Sequence, residues 1–293
     1  MILTNKIGVL VDSFRAGLHE GLAKAKKVGA DGVQFYAGMG EMDPDRLTPR
    51  SRREVKDVMA SLGLELSAIC GDLGGHGFQD ASLNKQKIEK SKRILDLALD
   101  LGTNIVTTHI GLIPEQQSDP IYEAMWRACE EISNYATRSK AFFAVETGPE
   151  KCVRLKAFLD SLTTSGVSVN FDPANLVMVA GDDPVAGVKL LKDYIVHTHV
   201  KDGIQLQAVD PRIIYGLPGY EGIDHAKIAA LVTSGEAFRE TPLGEGQVRF
   251  DAYFAALREI GYTGYLTVER EGGDKPEADI RQAVQFIERY KRQ

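Results

Sequence analysis

The chain has 293 residues, of which 43% are hydrophobic and 26% charged, and 35 basic against 41 acidic side chains give a formal net charge of −6. The acidic balance argues against a general nucleic-acid-binding protein, which usually carries a basic face, and no apolar run reaches the roughly 18 residues that predict a membrane span. The three cysteines lack CxxC spacing and the N-terminal segment lacks a signal-peptide pattern, so we expect a protein of the reducing cytoplasm without a zinc knuckle or disulfide framework.

Eight β-rich runs alternate with eight amphipathic segments along the chain. We predict strands at residues 7–12, 32–37, 66–71, 104–110, 142–148, 167–173, 194–202 and 264–271. Helices are predicted at about 18–28, 51–62, 84–101, 118–139, 151–164, 182–192, 250–260 and 275–292. Several strands are apolar at consecutive positions, which is typical of strands covered on both faces. This alternation indicates βα units around a parallel sheet.

The eight units predict an α/β fold of the (β/α)8 TIM-barrel type. No Gly/Ser-rich or Pro-rich linker separates two halves, so we expect one domain over residues 1–293 and favour the barrel over an open, doubly wound sheet. One connection is unusually long: residues 203–249 lie between the seventh strand and its helix. Because long connections are often functional lids, we predict a lid-like insertion there, with a helix of its own over 224–232.

The predicted strands end in polar residues. In a barrel of this class the active site is built at the carboxyl ends of the strands, which makes these residues the first candidates for a site. In chain order they are Asp12, Tyr36, Asp72, His109, Glu146, Asp172, His199 with Lys201, and Glu269 with Glu271. Burying so many polar groups at one mouth requires partners such as a cation or a polar ligand.

Four of these residues end four successive strands, the fifth to the eighth: Glu146, Asp172, His199 and Glu269. Three converging carboxylates repel one another, whereas a divalent cation stabilises all three together with one imidazole. Three oxygen ligands and one nitrogen, with room for two substrate oxygens, suit Mn²⁺, Mg²⁺ or Co²⁺ better than structural zinc. We therefore expect one divalent metal ion, with Mn²⁺ favoured and Zn²⁺ as a further candidate.

Five segments of the chain match a known family: VETG, NFDPAN, VHTHVKDG, PLGEGQVRF and GYLTVERE. Through them the whole chain resembles the xylose-isomerase-like TIM-barrel superfamily of sugar and sugar-phosphate isomerases and epimerases. The resemblance implies that Glu146, Asp172, His199 and Glu269 bind one divalent metal ion. It also implies that Glu146 and Glu269 transfer protons.

The chemistry of such a reaction suits these residue types. Isomerising or epimerising a sugar removes a proton from a carbon next to a carbonyl, and a chelated metal ion stabilises the resulting enediolate. Two carboxylates on opposite sides of that plane deprotonate one face and reprotonate the other. We therefore expect a divalent-metal-dependent sugar or sugar-phosphate isomerase or epimerase, with Glu146 and Glu269 as its acid/base pair.

Three further residues, His109, Asn175 and Lys201, are candidate substrate ligands. The sequence leaves open whether His109 binds substrate or is structural. Asn175 stands where many epimerases of the family carry a His, and Lys201 lies in a segment where they tend to carry an Arg. The substrate of the characterised ketose epimerases therefore does not carry over to this chain. His197, two residues before His199, is expected in the core or behind the ligands.

Other functions stay open. A metal-dependent dehydratase of a polyol ketone or a shikimate-like acid would use the same enolate and then expel a hydroxyl. An endonuclease-IV-like DNA repair enzyme with three zinc ions is more remote, because it needs more His ligands than this chain offers. A barrel that only binds a polyol is the last alternative. The expected partner is a small sugar or polyol, with no nucleic acid or membrane, and homo-oligomers are open. Arg212, Arg239 and Arg249 either meet a substrate phosphate or lie at the surface.

Overall fold

The computed structural model describes residues 3–215 and 234–292. Its strands are β1 (Ile7–Leu10), β2 (Gly32–Tyr36), β3 (Glu65–Cys70), β4 (Ile105–Thr108), β5 (Phe142–Glu146), β6 (Val167–Phe171), β7 (Ile195–Val200), β8 (Asp202–Gln205), β9 (Phe238–Thr241) and β10 (Leu266–Val268). All except β8 and β9 form a closed parallel barrel in the order β1-β10-β7-β6-β5-β4-β3-β2. The prediction of a (β/α)8 barrel is confirmed.

Helices follow the barrel strands. They are α1 (Leu18–Val28), α2 (Pro49–Leu62), α3 (Ala81–Leu101), α4 (Pro120–Ser139), α5 (Cys152–Asp160), α6 (Pro184–Leu190), α7 (Pro211–Tyr215), α8 (Phe250–Glu259) and α9 (Pro276–Lys291). The side chains of Asp80, Asp119 and Asp183 cap α3, α4 and α6 by accepting a backbone N–H of the first turn. Within the described ranges, none of the helices is apolar over enough residues to cross a bilayer.

Several elements are shorter than predicted from the sequence. α5 ends at Asp160, and the last barrel strand ends at Val268, in register with Val200 at the end of its partner β7. After β6 the chain forms an unpredicted turn of helix, Pro173–Asn175, that continues as a π-helix over Leu176–Ala180. π-Helical stretches are rare overall, and those that occur often lie next to functional sites.

The core lies between the barrel and its helices. The strands β1, β6 and most of β2 are buried at consecutive positions, as predicted for strands covered on both faces. The apolar stripe of α3, which includes Ile94, Leu95 and Ala98, is fully buried against the sheet. Burial of each large aliphatic side chain contributes about 1.5–3 kcal/mol to folding. The three cysteines are free and buried.

The long connection after β7 contains an antiparallel pair, β8 and β9, and the short helix α7. The carboxylate of Asp202 fixes its base by accepting four backbone N–H groups at 2.9–3.1 Å, from Gly203, Gly244, Gly246 and Val248. A Cβ on Gly246 would lie 2.1 Å from Oδ1 of Asp202, so this close approach requires glycine. The helix expected over 224–232 lies outside the described residues. The lid role and the single domain stay predictions.

Candidate metal centre

The four predicted ligands meet at the carboxyl ends of neighbouring strands. Glu146 ends β5, Asp172 and Glu269 directly follow β6 and β10, and His199 lies in β7. One potential ligand atom of each residue lies within 4.8 Å of the other three. Each of these residues is at most 5% exposed. A buried set of three carboxylates and one imidazole fits a divalent metal site.

Asp172 presents one carboxylate oxygen to this cluster. Its Oδ1 accepts hydrogen bonds from the backbone N–H groups of Ala174 (2.7 Å) and Asn175 (3.0 Å), where the helical turn begins. Its Oδ2 is buried, has no hydrogen-bond partner among the described residues and lies 3.8 Å from Nδ1 of His199. A buried polar atom without a partner costs free energy. Oδ2 is therefore the atom that most directly indicates a cation.

Gln34, on the opposite side of the barrel in β2, orients His199. Its Oε1 lies 3.0 Å from Nε2 of His199, while its amide nitrogen donates to Oγ1 of Thr107 at 2.8 Å. Because an amide oxygen only accepts, Nε2 of His199 carries a proton, and Nδ1 is the nitrogen available to a metal. Nδ1 faces the cluster, 3.2 Å from Oε2 of Glu269 and 3.4 Å from Oε2 of Glu146.

Two amides hold the carboxylate of Glu146. Nδ2 of Asn175 donates to Oε1 at 2.8 Å, and Nδ2 of Asn170 donates to Oε2 at 3.0 Å. The side-chain oxygen of Asn170 in turn accepts from Nδ1 of His197 at 2.9 Å. Burial lowers the pKa of His197 well below its ordinary value, so this imidazole is neutral. His197 thus lies behind the ligands, where the sequence placed it.

Lys201 holds the second acid/base candidate in place. It is 3% exposed, and its Nζ donates to Oε2 of Glu269 at 3.0 Å and also to Glu271, with Oε2 of Glu240 at 4.0 Å. Burial opposes a charge on Lys201, but these carboxylates raise its pKa well above the ordinary value. Burial likewise opposes ionisation of Glu269, but His199 and Lys201 lower its pKa well below the ordinary value. Glu269 is therefore ionised at neutral pH.

The charges of the cluster match a cation. Burial raises the pKa of Asp172. Burial opposes a charge on His199, but the carboxylates of Glu269 and Glu146 raise its pKa well above the ordinary value. A divalent cation would take the place of the proton on Nδ1 of His199 and would favour the ionised form of Asp172. The donor set thus fits the metal ion that the sequence predicts.

His109 faces the cluster from β4. Its Nδ1 lies 2.9 Å from Oδ2 of Asp72, and its Nε2 lies 3.7 Å from Oε1 of Glu146. Burial opposes a charge on this imidazole, but Glu146 and Asp72 raise the pKa of His109 to about 9. Of the three predicted substrate ligands, His109 and Asn175 therefore flank Glu146, whereas Lys201 contacts Glu269.

A cavity of about 570 Å³ lies over the carboxyl ends of β1–β3. Three of the polar strand-end residues line it: Asp12, Tyr36 and Asp72. In the strand order, β1–β3 lie on the other side of the barrel from β5–β7. Asp72 links the two sides, because it binds His109 and thereby connects the cavity to Glu146.

Four further residues support the candidate ligands from inside the barrel and were not predicted from the sequence: Gln34, Thr107, Asn170 and Thr267. All four are completely buried. A signal for them exists, since each is a polar residue within a mainly apolar run that predicts a buried strand. Asn170, for example, pairs in register with both Glu146 and His197. Polar residues in the interior of predicted barrel strands, and not only those at strand ends, therefore indicate the site.

The family of the chain follows from comparisons with known proteins. A model of the xylose isomerase-like TIM barrel family matches residues 22–290. An inosose dehydratase of Lacticaseibacillus casei is 30% identical over 125 residues, which are 43% of this chain and only 37% of that relative. An L-ribulose-5-phosphate 3-epimerase of Salmonella paratyphi C is 22% identical over 285 residues, covering 92% of this chain and 88% of the relative.

The solved structures agree on the fold. A xylose isomerase domain protein from Planctomyces limnophilus superposes with a TM-score of 0.77, covering 99% of this chain and 97% of its own, at 24% sequence identity. At this identity the likeness shows the shared architecture. The assignment to a family rests instead on the family model, which matches most of the chain. The chain belongs to the xylose isomerase-like TIM barrel family.

Proposed function

We propose that the protein is a divalent-metal-dependent carbohydrate isomerase or epimerase that moves a proton at the carbon next to a carbonyl. The observation that carries this proposal is the buried cluster of Glu146, Asp172, His199 and Glu269, in which Oδ2 of Asp172 lacks a partner among the described residues. The similarity to a 3-epimerase over nearly the whole chain supports the same reaction class.

The four residues of the cluster are the proposed ligands of one ion. Oxygen ligands with one imidazole favour Mn²⁺, with Mg²⁺, Co²⁺ and Zn²⁺ as the other candidates. When bound, such an ion polarises a substrate carbonyl and makes the neighbouring C–H more acidic. His199 is proposed to ligate through Nδ1, because Gln34 holds its other ring nitrogen.

Glu269 and Glu146 are the proposed acid/base pair. Glu269 is kept ionised by its neighbours His199 and Lys201, as a general base must be. Glu146 is held by two amides, which fix the position of its carboxyl group. A substrate carbon between the two groups would lose its proton to the ionised Glu269 and regain a proton from Glu146 in its protonated form, which inverts the centre. The step would leave Glu269 protonated and Glu146 ionised, and proton exchange with solvent would restore both. Exchange through a single carboxylate would instead interconvert an aldose and a ketose.

His109 is the proposed hydrogen-bond donor to a substrate oxygen. Its pKa of about 9 keeps it protonated at neutral pH, and its Nε2 points towards Glu146. Asn175 and Lys201 are proposed to serve the substrate through the carboxylates that they orient, Glu146 and Glu269 respectively.

The test combines metal content, metal-dependent thermal stabilisation and proton exchange. We expect about one ion per chain in the wild-type protein and its loss in Glu146→Gln and His199→Ala. Glu150→Gln is the matched control, because Glu150 is as buried as Glu146 and lies in the loop that follows β5, but is outside the cluster. With metal bound, ketoses should exchange a carbon-bound proton in deuterated water. About three zinc ions would favour a DNA repair enzyme, and no specific metal would contradict the proposal.

A metal-dependent dehydratase is the second candidate. The stretch that is 30% identical to an inosose dehydratase favours it. A dehydratase would form the same carbanion and then expel a hydroxyl group from the next carbon. Loss of water creates a conjugated product with new ultraviolet absorbance, whereas isomerisation and epimerisation do not. An ultraviolet absorbance that increases with substrate turnover would therefore favour the dehydratase over the isomerase or epimerase.

A further inference from the structure

The cavity over β1–β3 is lined by three carboxylates: Asp12, Glu41 and Asp72. Each is fixed by a backbone N–H at 2.7–3.0 Å, donated by Tyr36, Leu18 and Gly74 respectively. Carboxylate oxygens have about four acceptor sites, so each of these groups can accept further hydrogen bonds. Their natural partners in a ligand are hydroxyl groups, which are donors without a negative charge.

The cavity is next to the reacting groups. Asp72 contributes to its lining and also binds His109, whose second ring nitrogen approaches Glu146 at 3.7 Å. A small carbohydrate with its carbonyl at the metal cluster that extends past His109 and Asp72 would place its other end in this cavity. In that arrangement the lining of the cavity would decide which terminal group the substrate can carry.

Among the described residues that line this cavity, Arg15 is the only cationic side chain. Its guanidinium group donates to the backbone carbonyl groups of Glu271, Gly272 and Gly273, the loop that follows β10. Three of the five N–H donors of the guanidinium group are thereby used. Asp72 is paired with His109. The carboxylates of Asp12 and Glu41 against the single guanidinium group still leave the cavity with an excess of negative charge, which disfavours a phosphate dianion.

Other cations near the mouth are engaged too. Lys87 donates to the carbonyl oxygens of Gly74 and Gly77, and Lys201 is enclosed by carboxylates. Of the three arginines of the insertion that are candidates for a phosphate, Arg212 pairs with Asp210 and Arg249 with Asp183, while Arg239 is exposed in β9. A second cavity is lined by Lys151, Arg154 and Arg212, together with the carboxylates of Glu115, Asp119, Glu150 and Asp210. The described lining of the cavity over β1–β3 holds a single cation.

We propose that this cavity binds the hydroxylated end of an uncharged carbohydrate, so that the substrate is an unphosphorylated ketose, aldose or polyol ketone. The inference rests on the proposed function, because it takes the metal cluster as the reacting end. It separates this chain from the relative that is named for a sugar phosphate. Neutral hydroxyl donors complement the carboxylates, and a terminal phosphate opposes them.

The experiment measures proton exchange in deuterated water on the metal-loaded protein with matched pairs, ribulose against ribulose 5-phosphate and fructose against fructose 6-phosphate. We expect kcat/KM to be at least tenfold higher for the free sugars. Because the carboxylates Asp12 and Glu41 are exposed, raising the ionic strength should reduce this ratio. Equal or faster exchange of the phosphates would overturn this inference and leave the proposed function intact.

Variants assign the effect to the cavity. Glu41→Gln and Asp12→Asn should each move the ratio several-fold towards the phosphate. Glu123→Gln removes the same charge on the exposed face of α4, where Glu123 pairs with Arg127, and should leave the ratio unchanged. A phosphate preference that Lys151→Ala abolishes would assign the terminal group to the separate cavity that Lys151 lines, and would overturn the inference.

Failure of the proposed function is recognised separately. If none of the sugars exchanges a proton, calorimetric binding of the same pairs to the metal-loaded protein decides the question. Tighter binding of the free sugars supports the uncharged-ligand cavity even without that reaction. Tighter binding of the phosphates, or binding of neither, overturns it.

Discussion

The two sides of the barrel mouth are built differently. Over β5–β7 and β10, the four candidate ligand residues lie on or directly after strands and are at most 5% exposed, and Glu146 and His199 are each held by an amide from inside the barrel. Over β1–β3, the carboxylates of Asp12 and Glu41 are exposed and accept the backbone N–H groups of Tyr36, at the end of β2, and Leu18, at the start of α1. Groups that react need fixed geometry, whereas groups that select a substrate tolerate variation. Under the proposed function, reaction and substrate selection therefore belong to separate parts of one mouth.

The largest effect should come from the acid/base pair. Glu146→Gln and Glu269→Gln keep the size and hydrogen-bonding shape of each side chain but remove its ability to take a proton. We expect proton exchange in deuterated water to fall by at least about 100-fold in each. Glu150→Gln should exchange at close to the wild-type rate. Near-normal proton exchange in either variant would show that this residue is not part of the acid/base pair. It would also contradict the assignment of the reaction to this side of the mouth.

Loss of the imidazole ligand should abolish specific metal binding. At a metal concentration 100 times its Kd, the wild-type protein gains about 2.7 kcal/mol of stability, which a thermal melt records as a higher Tm. We expect His199→Ala to lose most of this gain. His197→Ala should keep a metal-dependent rise in Tm although its metal-free Tm falls, because His197 contacts Asn170 and lies behind the cluster. If His197→Ala lost the metal-dependent rise in Tm and His199→Ala kept it, His197 would be the metal ligand and His199 the supporting residue.

Removing the orienting amide should weaken the metal site without removing a ligand. Gln34→Leu leaves Nε2 of His199 without its acceptor, and changes behind a metal ligand typically cost about 10–100-fold in affinity. Gln34→Glu keeps an acceptor oxygen and should retain much of that affinity. Metal titration by calorimetry measures both. Unchanged metal affinity in Gln34→Leu would show that the position of His199 in the closed barrel is enough to orient its imidazole, without the contact to Gln34.

Glu150 is a buried carboxylate on the reacting side that lies outside the cluster, so its titration provides a comparison for the cluster. Burial is the main influence that raises its pKa from 4.5 to about 7, while a hydrogen bond from the backbone N–H of Ile113 opposes the rise. Between these two values only the folded protein holds the proton. The stability advantage of the protonated carboxyl is therefore complete below about pH 4.5 and lost as the pH rises through 7.

Denaturant titrations at pH 5 and pH 7 measure this difference. Relative to Glu150→Gln, the wild-type protein should lose on the order of 1–2 kcal/mol of unfolding free energy between the two pH values. Glu123→Gln, at an exposed site, should show no such change relative to the wild-type protein. A pH-independent difference between wild type and Glu150→Gln would mean that this carboxylate is ionised in the fold at both pH values.

The fold and the convergence of the four candidate ligand residues were predictable because both follow from local sequence patterns. Alternating periodicities locate the strands, and the polar residue at the end of each strand needs only the rule that such ends meet at one mouth. The contact between Gln34 and His199 was not predictable in this way. These residues are 165 positions apart on strands that are not neighbours, and only closure of the barrel brings them together.

The buried, ion-paired environment of Lys201 was also not predictable from the sequence. A lysine after a strand predicts a group that reaches substrate or solvent. In the structure, a glutamate of β9, Glu240, joins Glu269 and Glu271 around it and compensates its charge in a buried position. Glu240 comes from the long connection, whose packing no local pattern specifies. Charge compensation between distant segments therefore decides whether such a residue is exposed.

The carboxylate of Asp202 has a consequence for how this protein can change. It ties the first residues after β7 to the segment that leads into α8, so the two ends of the long connection meet at one fixed point. Glu240 makes a second tie, because it accepts the backbone N–H groups of Glu271 and Gly272 after β10. Between these two ties, the described part of the connection reaches back to the mouth at Tyr215, whose ring lies 6.4 Å from that of His109. We therefore expect changes within the connection to alter the surroundings of His109, and with them substrate preference, while both ends of the connection stay anchored.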